Sequence, residues 1–135
     1  MIKYIFSLTI IFSASLCAAQ IQGHVIRVLD GDTLEILQDK KPVRVRLANI
    51  DAPEKKQPFG RWSATQLKDL VAGKPVTVQY AQTDRYGRIL GRVYTADGTE
   101  ANRWQVRNGA AWVYPDYNND YTLPVSYTHL RAHET

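Results

Sequence analysis

Three alternating segments in the first half of the chain, separated by turn residues, set the strongest constraint on its fold. Gly23–Leu29 is rich in Val and Ile and runs into Asp30-Gly31, a strong hairpin signal. Thr33–Leu37 returns, with Leu34 and Ile36 alternating against Thr33 and Glu35. In Pro42–Ile50, Val43, Val45 and Leu47 point one way, and Arg44 and Arg46 the other. Asp51-Ala52-Pro53 ends this third strand, because proline cannot donate to a ladder.

The period then changes. Ser63, Ala64, Leu67, Leu70 and Val71 fall on one helical face within Gly60–Ala72, and Gly73-Lys74-Pro75 stops the helix. Val76, Val78 and Tyr80 alternate as a fourth strand, Asp84–Arg88 is a turn, and Ile89–Tyr94 is a fifth strand. Asp97-Gly98 leads to a second helix near Glu100–Asn108, with Gly109 as its stop. At 135 residues the chain has room for one small domain. Five strands with a helix between the third and fourth predict an α+β fold, a small Greek-key barrel of the OB type.

The N-terminus reads separately. Lys3 precedes an uncharged run, Tyr4–Leu16, and small residues at Cys17 and Ala19 suit a signal-peptidase cut after Ala19. The run is shorter than the roughly 20 apolar residues of a membrane span. It also carries Ser7, Thr9, Ser13 and Ser15. Acylation at Cys17 is disfavoured by the bulky Leu16 beside it. Residues 1–19 are therefore expected to be a cleaved signal peptide, and the protein to be secreted or periplasmic in a bacterium. No stable membrane association is expected after cleavage, and the mature protein is expected to be a monomer. Cleavage would remove the one cysteine, which is compatible with an oxidising compartment without requiring one. A net charge of +4 favours a polyanionic partner through steering, although it serves solubility equally well.

Three short strings carry the chemistry: D-G-D-T at Asp30–Thr33, R-L-A-N-I-D-A-P-E at Arg46–Glu54, and D-R-Y-G-R at Asp84–Arg88. Carboxylates hold a hard cation and activate water. Arginines clamp a phosphate with two parallel donors. If the second and third strands pair, Asp32 and Asp51 converge at one end of the barrel. Oxygen-only ligands point to calcium or magnesium rather than zinc. His24 stands alone in a strand and is expected to be a half-buried packing residue. Each string by itself also reads as an ordinary turn with solvated charges. Together they point to metal-assisted cleavage of a phosphodiester.

Their joint order resembles the thermonuclease family, whose type member is staphylococcal nuclease. The resemblance runs from about Gly23 to Tyr117 and takes in the three strings and the helix N-R-W-Q-V-R-N-G. It implies an OB barrel with three helices, calcium dependence, and cleavage of DNA and RNA to 3′-phosphorylated products. By motif, Asp32 and Asp51 are similar to the side-chain calcium ligands, and Ala52 to the main-chain carbonyl ligand. A threonine stands at the Ala52 position in the type member, so a hydroxyl contact is missing here. Glu54 is similar to the residue that activates or positions water. Arg46 and Arg88 are similar to the two arginines on the scissile phosphate. Tyr86 matches a tyrosine near another phosphate, Arg85 stands where the type member has lysine, and Tyr117 matches a base-stacking tyrosine.

The resemblance assigns residues 20–124 to the nuclease-like domain. Val125–Thr135 carries no apolar stripe matching the family's third, C-terminal helix, so that helix is expected to be missing and this string to be a non-native or disordered tail. No segment resembles a recognition helix with base-reading side chains, so sequence-tolerant binding is expected. The main alternative is a catalytically inactive OB-fold module that only binds nucleic acid. A further alternative is an OB protein for sugar or protein ligands, in which the acids merely cap turns.

Overall fold

The computed structural model describes residues 19–114, together with Ser7, Thr9 and Ile10. The signal-peptide reading rests mostly on residues outside that range. Tyr117, the position of a third helix and the tail from Val125 also lie outside it.

The hairpin predicted from the sequence forms as β1 (Ala19–Asp30) and β2 (Thr33–Gln38), with β3 (Lys41–Leu47) antiparallel to β2. A short β4 (Ile50–Asp51), the helix α1 (Gly60–Val71) and the strands β5 (Pro75–Thr83) and β6 (Ile89–Thr95) follow. The helix α2 (Ala101–Arg107) and a short β7 (Trp112–Val113) complete the described chain. The barrel is closed in the order β1-β2-β3-β6-β5, with β5 back against β1. Only the β3–β6 seam is parallel. Closure removes exposed strand edges, the main aggregation liability of a small sheet.

The alternation seen in the sequence fills the barrel. Val25, Val28, Leu34, Ile36, Val45, Leu47, Val78 and Val93 are buried inside it. The apolar face of α1, through Ala64, Leu67 and Val71, joins the same core. Each fully buried Val, Leu or Ile contributes roughly 1.5–3 kcal/mol before entropy is charged against it.

Two expectations need correction. Pro42–Ile50 is not one strand. The barrel strand ends at Leu47, the Ala48 N–H donates to the Gly91 carbonyl at 2.9 Å, and Asn49 turns left-handed at φ 66°. Asparagine tolerates that conformation, and it sends Ile50–Asp51 off to pair with Trp112–Val113. His24 is exposed rather than half-buried. It lies on the outer face of β1, opposite Leu37, which is itself exposed.

α2 is fastened to the barrel by two buried amides. Asn102 accepts the Val93 N–H at 3.1 Å and donates to the carbonyls of Ala48 and Gly91. Gln105 donates to the Gly31 carbonyl at 2.7 Å and to the Ser63 carbonyl at 3.0 Å. One amide thus pins the bend ahead of Asp51, and the other pins the hairpin turn that carries Asp32. Leaving such a buried carbonyl unpaired costs about 1–3 kcal/mol.

Candidate active site

The turn between β1 and β2 is Gly31-Asp32. Gly31 supplies space there: a Cβ would lie 1.7 Å from the Ser63 hydroxyl oxygen. The Ser63 hydroxyl in turn donates to the Ala110 carbonyl at 2.6 Å. The turn is therefore packed against α1, and Asp32 is buried beside it. Its Oδ1 accepts the Thr33 hydroxyl, and its Oδ2 accepts the Ala52 N–H, both at 2.9 Å.

Arg46 lies opposite Thr33 in the β2–β3 register, and its Nη1 is 2.9 Å from Asp32 Oδ2. Nη2 of the same guanidinium is 3.3 Å from Asp51 Oδ1. The bend at Ala48-Asn49 thus returns Asp51 to the arginine five residues earlier, and both aspartates converge on one cation. Burial pushes the Asp32 carboxyl up. Arg46 and the Thr33 and Ala52 hydrogen bonds pull it down, and Asp51 adds a smaller upward push. The net effect is a raised pKa, because desolvation outweighs the partners.

This donor set fits a hard divalent cation in kind. Asp32 and Asp51 offer carboxylate oxygens, the ligand type that hard cations prefer. Among the described residues no three of His, Cys, Asp and Glu form a metal-binding group. A hard cation held by these two carboxylates would need main-chain, water or phosphate oxygens to complete a shell of six to eight.

A second cluster is built by Asp84. Its Oδ1 accepts the N–H groups of Tyr86 and Arg88 at 2.9 and 3.0 Å, and its Oδ2 accepts Arg88 Nε at 2.6 Å. Burial pushes the Asp84 carboxyl up, but these bonds and the Arg88 charge win and hold it below its ordinary value. The Arg85 and Arg88 guanidinium groups sit over the Tyr86 ring, 4.9 and 5.5 Å from its centre. Arg46 pairs with Leu90 across the parallel seam. Arg88 stands just ahead of β6, two residues before Leu90.

The structure therefore brings Asp32, Arg46, Asp51 and Ala52 together, and separately gathers Arg85, Tyr86 and Arg88. Glu54 is exposed in a turn, where its N–H donates to Gln57 Oε1, and it forms no common metal-binding group with the two aspartates. The structure adds three supports to the residues expected from the sequence: Gln105 and Ser63 behind the Asp32 turn, and Asp84 behind Arg88. The i, i+3 spacing of Asn102 and Gln105 on an otherwise apolar helix face was the available signal for the amides.

The closed barrel carries carboxylates and arginines at its wall, a combination suited to a phosphodiester. The profile of the family described as staphylococcal nuclease homologue matches residues 44–134. A protein of Escherichia coli described as an uncharacterized endonuclease is 60% identical over 91% of this chain and 80% of its own length. Protein ParB of Escherichia coli is 40% identical over 84% of the chain and 69% of its own length. A micrococcal nuclease of Shigella flexneri is 42% identical over 73% of the chain and 62% of its own length. The chain belongs to the staphylococcal nuclease family and is an endonuclease of that type.

Proposed function

We propose that this chain is a secreted or periplasmic, calcium-dependent nuclease that hydrolyses DNA and RNA with little sequence preference and leaves 3′-phosphorylated ends. The observation that carries the calcium assignment is the convergence of Asp32 and Asp51 on the Arg46 guanidinium. Two carboxylates drawn together, one of them buried, favour a divalent cation as a further partner.

Asp32 and Asp51 would hold the ion, with the Ala52 carbonyl as a third donor. When bound, it would polarise a phosphoryl oxygen and offset the charge that builds up there. Arg46 and Arg88 donate to phosphoryl oxygens as the phosphodiester gains negative charge, stabilising that charge more than the ground state. Glu54 is exposed on the turn that follows Asp51 and takes a proton from the attacking water, a step worth roughly 10²–10⁴ in rate. Asp84 keeps Arg88 oriented while leaving it half-exposed to a ligand. Arg85 and Tyr86 contact the nucleotide beside Arg88, and the resemblance adds Tyr117, which lies outside the described residues, as a base-stacking ring. Sequence tolerance follows from a site made of phosphate contacts and stacking rings.

End-group analysis tests the reaction. A 5′-labelled single-stranded oligonucleotide digested with calcium should yield fragments that a polymerase extends only after phosphatase treatment. Fragments extended without that treatment carry free 3′ hydroxyls and would contradict the proposed bond of cleavage.

A further inference from the structure

The turn after Glu54 is tightly built. The Gln57 N–H donates to the Glu54 carbonyl at 2.8 Å, and the Gly60 N–H donates to the Gln57 carbonyl at 3.0 Å. The Lys55 N–H donates to Asp30 Oδ1 at 3.0 Å, tying the turn to the hairpin that carries Asp32. A Cβ at Gly60 would lie 1.8 Å from the Glu54 carbonyl oxygen, so only glycine closes this loop.

At the crest of the loop stands Phe59, left-handed at φ 63°, a conformation that bulky side chains avoid. Phe59 is 78% exposed, and Trp62, three residues on, is 44% exposed. The two rings adjoin an open groove of about 620 Å³, shared with Lys55, Lys56 and Arg61. No acidic side chain is among the residues lining it. The first turn of α1 also has no acidic residue and no side-chain cap, so its N–H groups add to the positive field. Two exposed large rings beside three cations do nothing for the core. Their faces suit bases, and their cations suit phosphates. A duplex keeps its base faces stacked inside, so the complementary ligand is a single strand.

Resting on the nuclease reading, we propose that this groove is a second contact for single-stranded nucleic acid. Phe59 and Trp62 stack on unpaired bases, and Lys55, Lys56 and Arg61 follow the phosphates of a strand that also passes the Asp32–Arg46 end. The surface sets affinity for long strands and leaves the bond-breaking groups alone.

Two probes separate the roles. One is an oligothymidylate about 12 nucleotides long, within the span that one such barrel covers. The other is a dinucleotide, which reaches only the cleavage site. Phe59→Ala and Trp62→Ala should each weaken binding of the long probe in chelator by about 5- to 100-fold. With calcium they should raise KM for it, while kcat/KM for the dinucleotide stays at the wild-type value. Trp62→Phe should keep most of the affinity while abolishing the quench of Trp62 fluorescence by the long probe. Lys56→Gln and Arg61→Gln should each flatten the slope of log affinity against log salt by about 0.7. Unchanged affinity for the long probe, or equal losses on both probes, would overturn the proposal. If the wild type cleaves neither probe yet Phe59→Ala still weakens long-probe binding, the groove assignment stands and the nuclease reading fails.

Discussion

Arg46 and Asp32 form a largely buried ion pair, Nη1 to Oδ2 at 2.9 Å, and the other end of the same guanidinium reaches Asp51. The arginine proposed to bind phosphate is thus held by the two carboxylates proposed to bind calcium. With both carboxylates engaged by a cation, the Arg46 guanidinium would be free to donate to a phosphate.

Calcium and substrate should therefore bind with positive coupling. On the Glu54→Gln protein, where turnover is slow, calorimetry should find dinucleotide affinity raised about 5- to 100-fold by calcium, within the usual range of coupling between sites. Arg46→Lys should bind more weakly in calcium, because lysine lacks the two parallel donors. Equal dinucleotide affinity with and without calcium would show that Arg46 is not released in this way.

Asp32→Asn should separate stability from function. Burial raises the Asp32 carboxyl above its ordinary value of 3.8, with Arg46 offsetting only part of the rise. A raised carboxyl binds its proton more tightly in the folded state, so stability falls as pH climbs from the unfolded value through the folded one. Above that window the ionised group is a net cost. In chelator at neutral pH, the asparagine protein should melt no lower than the wild type, and it should lose the rise in Tm that calcium gives by binding the folded state. A clear drop in Tm in chelator would mean that the Arg46 pair outweighs the desolvation.

Asp84→Asn should lower kcat by roughly 10- to 100-fold, the scale of a small misplacement of a reacting group. The amide cannot keep the charged bond to Arg88 Nε, which now sits at 2.6 Å. The Asp84 carboxyl is held below its ordinary value of 3.8, so its stabilising contribution is present above that pH and is lost as pH falls through the lower, folded value. Acid unfolding of the two proteins should therefore converge at low pH and diverge above it. A kcat equal to wild type would reduce Asp84 to a turn former.

Glu54→Gln should cut turnover by roughly 10²–10⁴ with a smaller effect on affinity, since the amide keeps the shape but is a poor proton acceptor. Single-turnover kinetics at saturating substrate measure this. Full turnover would leave Glu54 as a plain turn residue.

Much of the barrel was legible because β2, β3, β5 and β6 obey strict alternation around Leu34, Val45, Val78 and Val93. Pairing of the second and third strands brings Arg46 beside the Asp32 turn, as the sequence implies, but the bend at Asn49 is what returns Asp51 to it. The bend at Asn49 was not legible, because a left-handed asparagine between apolar residues leaves the period looking intact. The β4–β7 ribbon was missed because two residues on each side carry no period. The groove at Phe59 was hidden for a related reason. Lys55, Lys56, Phe59 and Trp62 read as loop and helix start until the fold shows which side chains remain exposed.

Calcium-dependent hydrolysis at the Asp32–Arg46–Asp51 end is tested most directly by digesting single-stranded DNA and RNA with the purified protein, in calcium and in excess chelator. Both substrates should be degraded in calcium and remain intact in chelator. Undiminished cleavage in chelator would contradict the calcium assignment, and binding without cleavage by a folded sample in calcium would mark the protein as an inactive nucleic-acid-binding module.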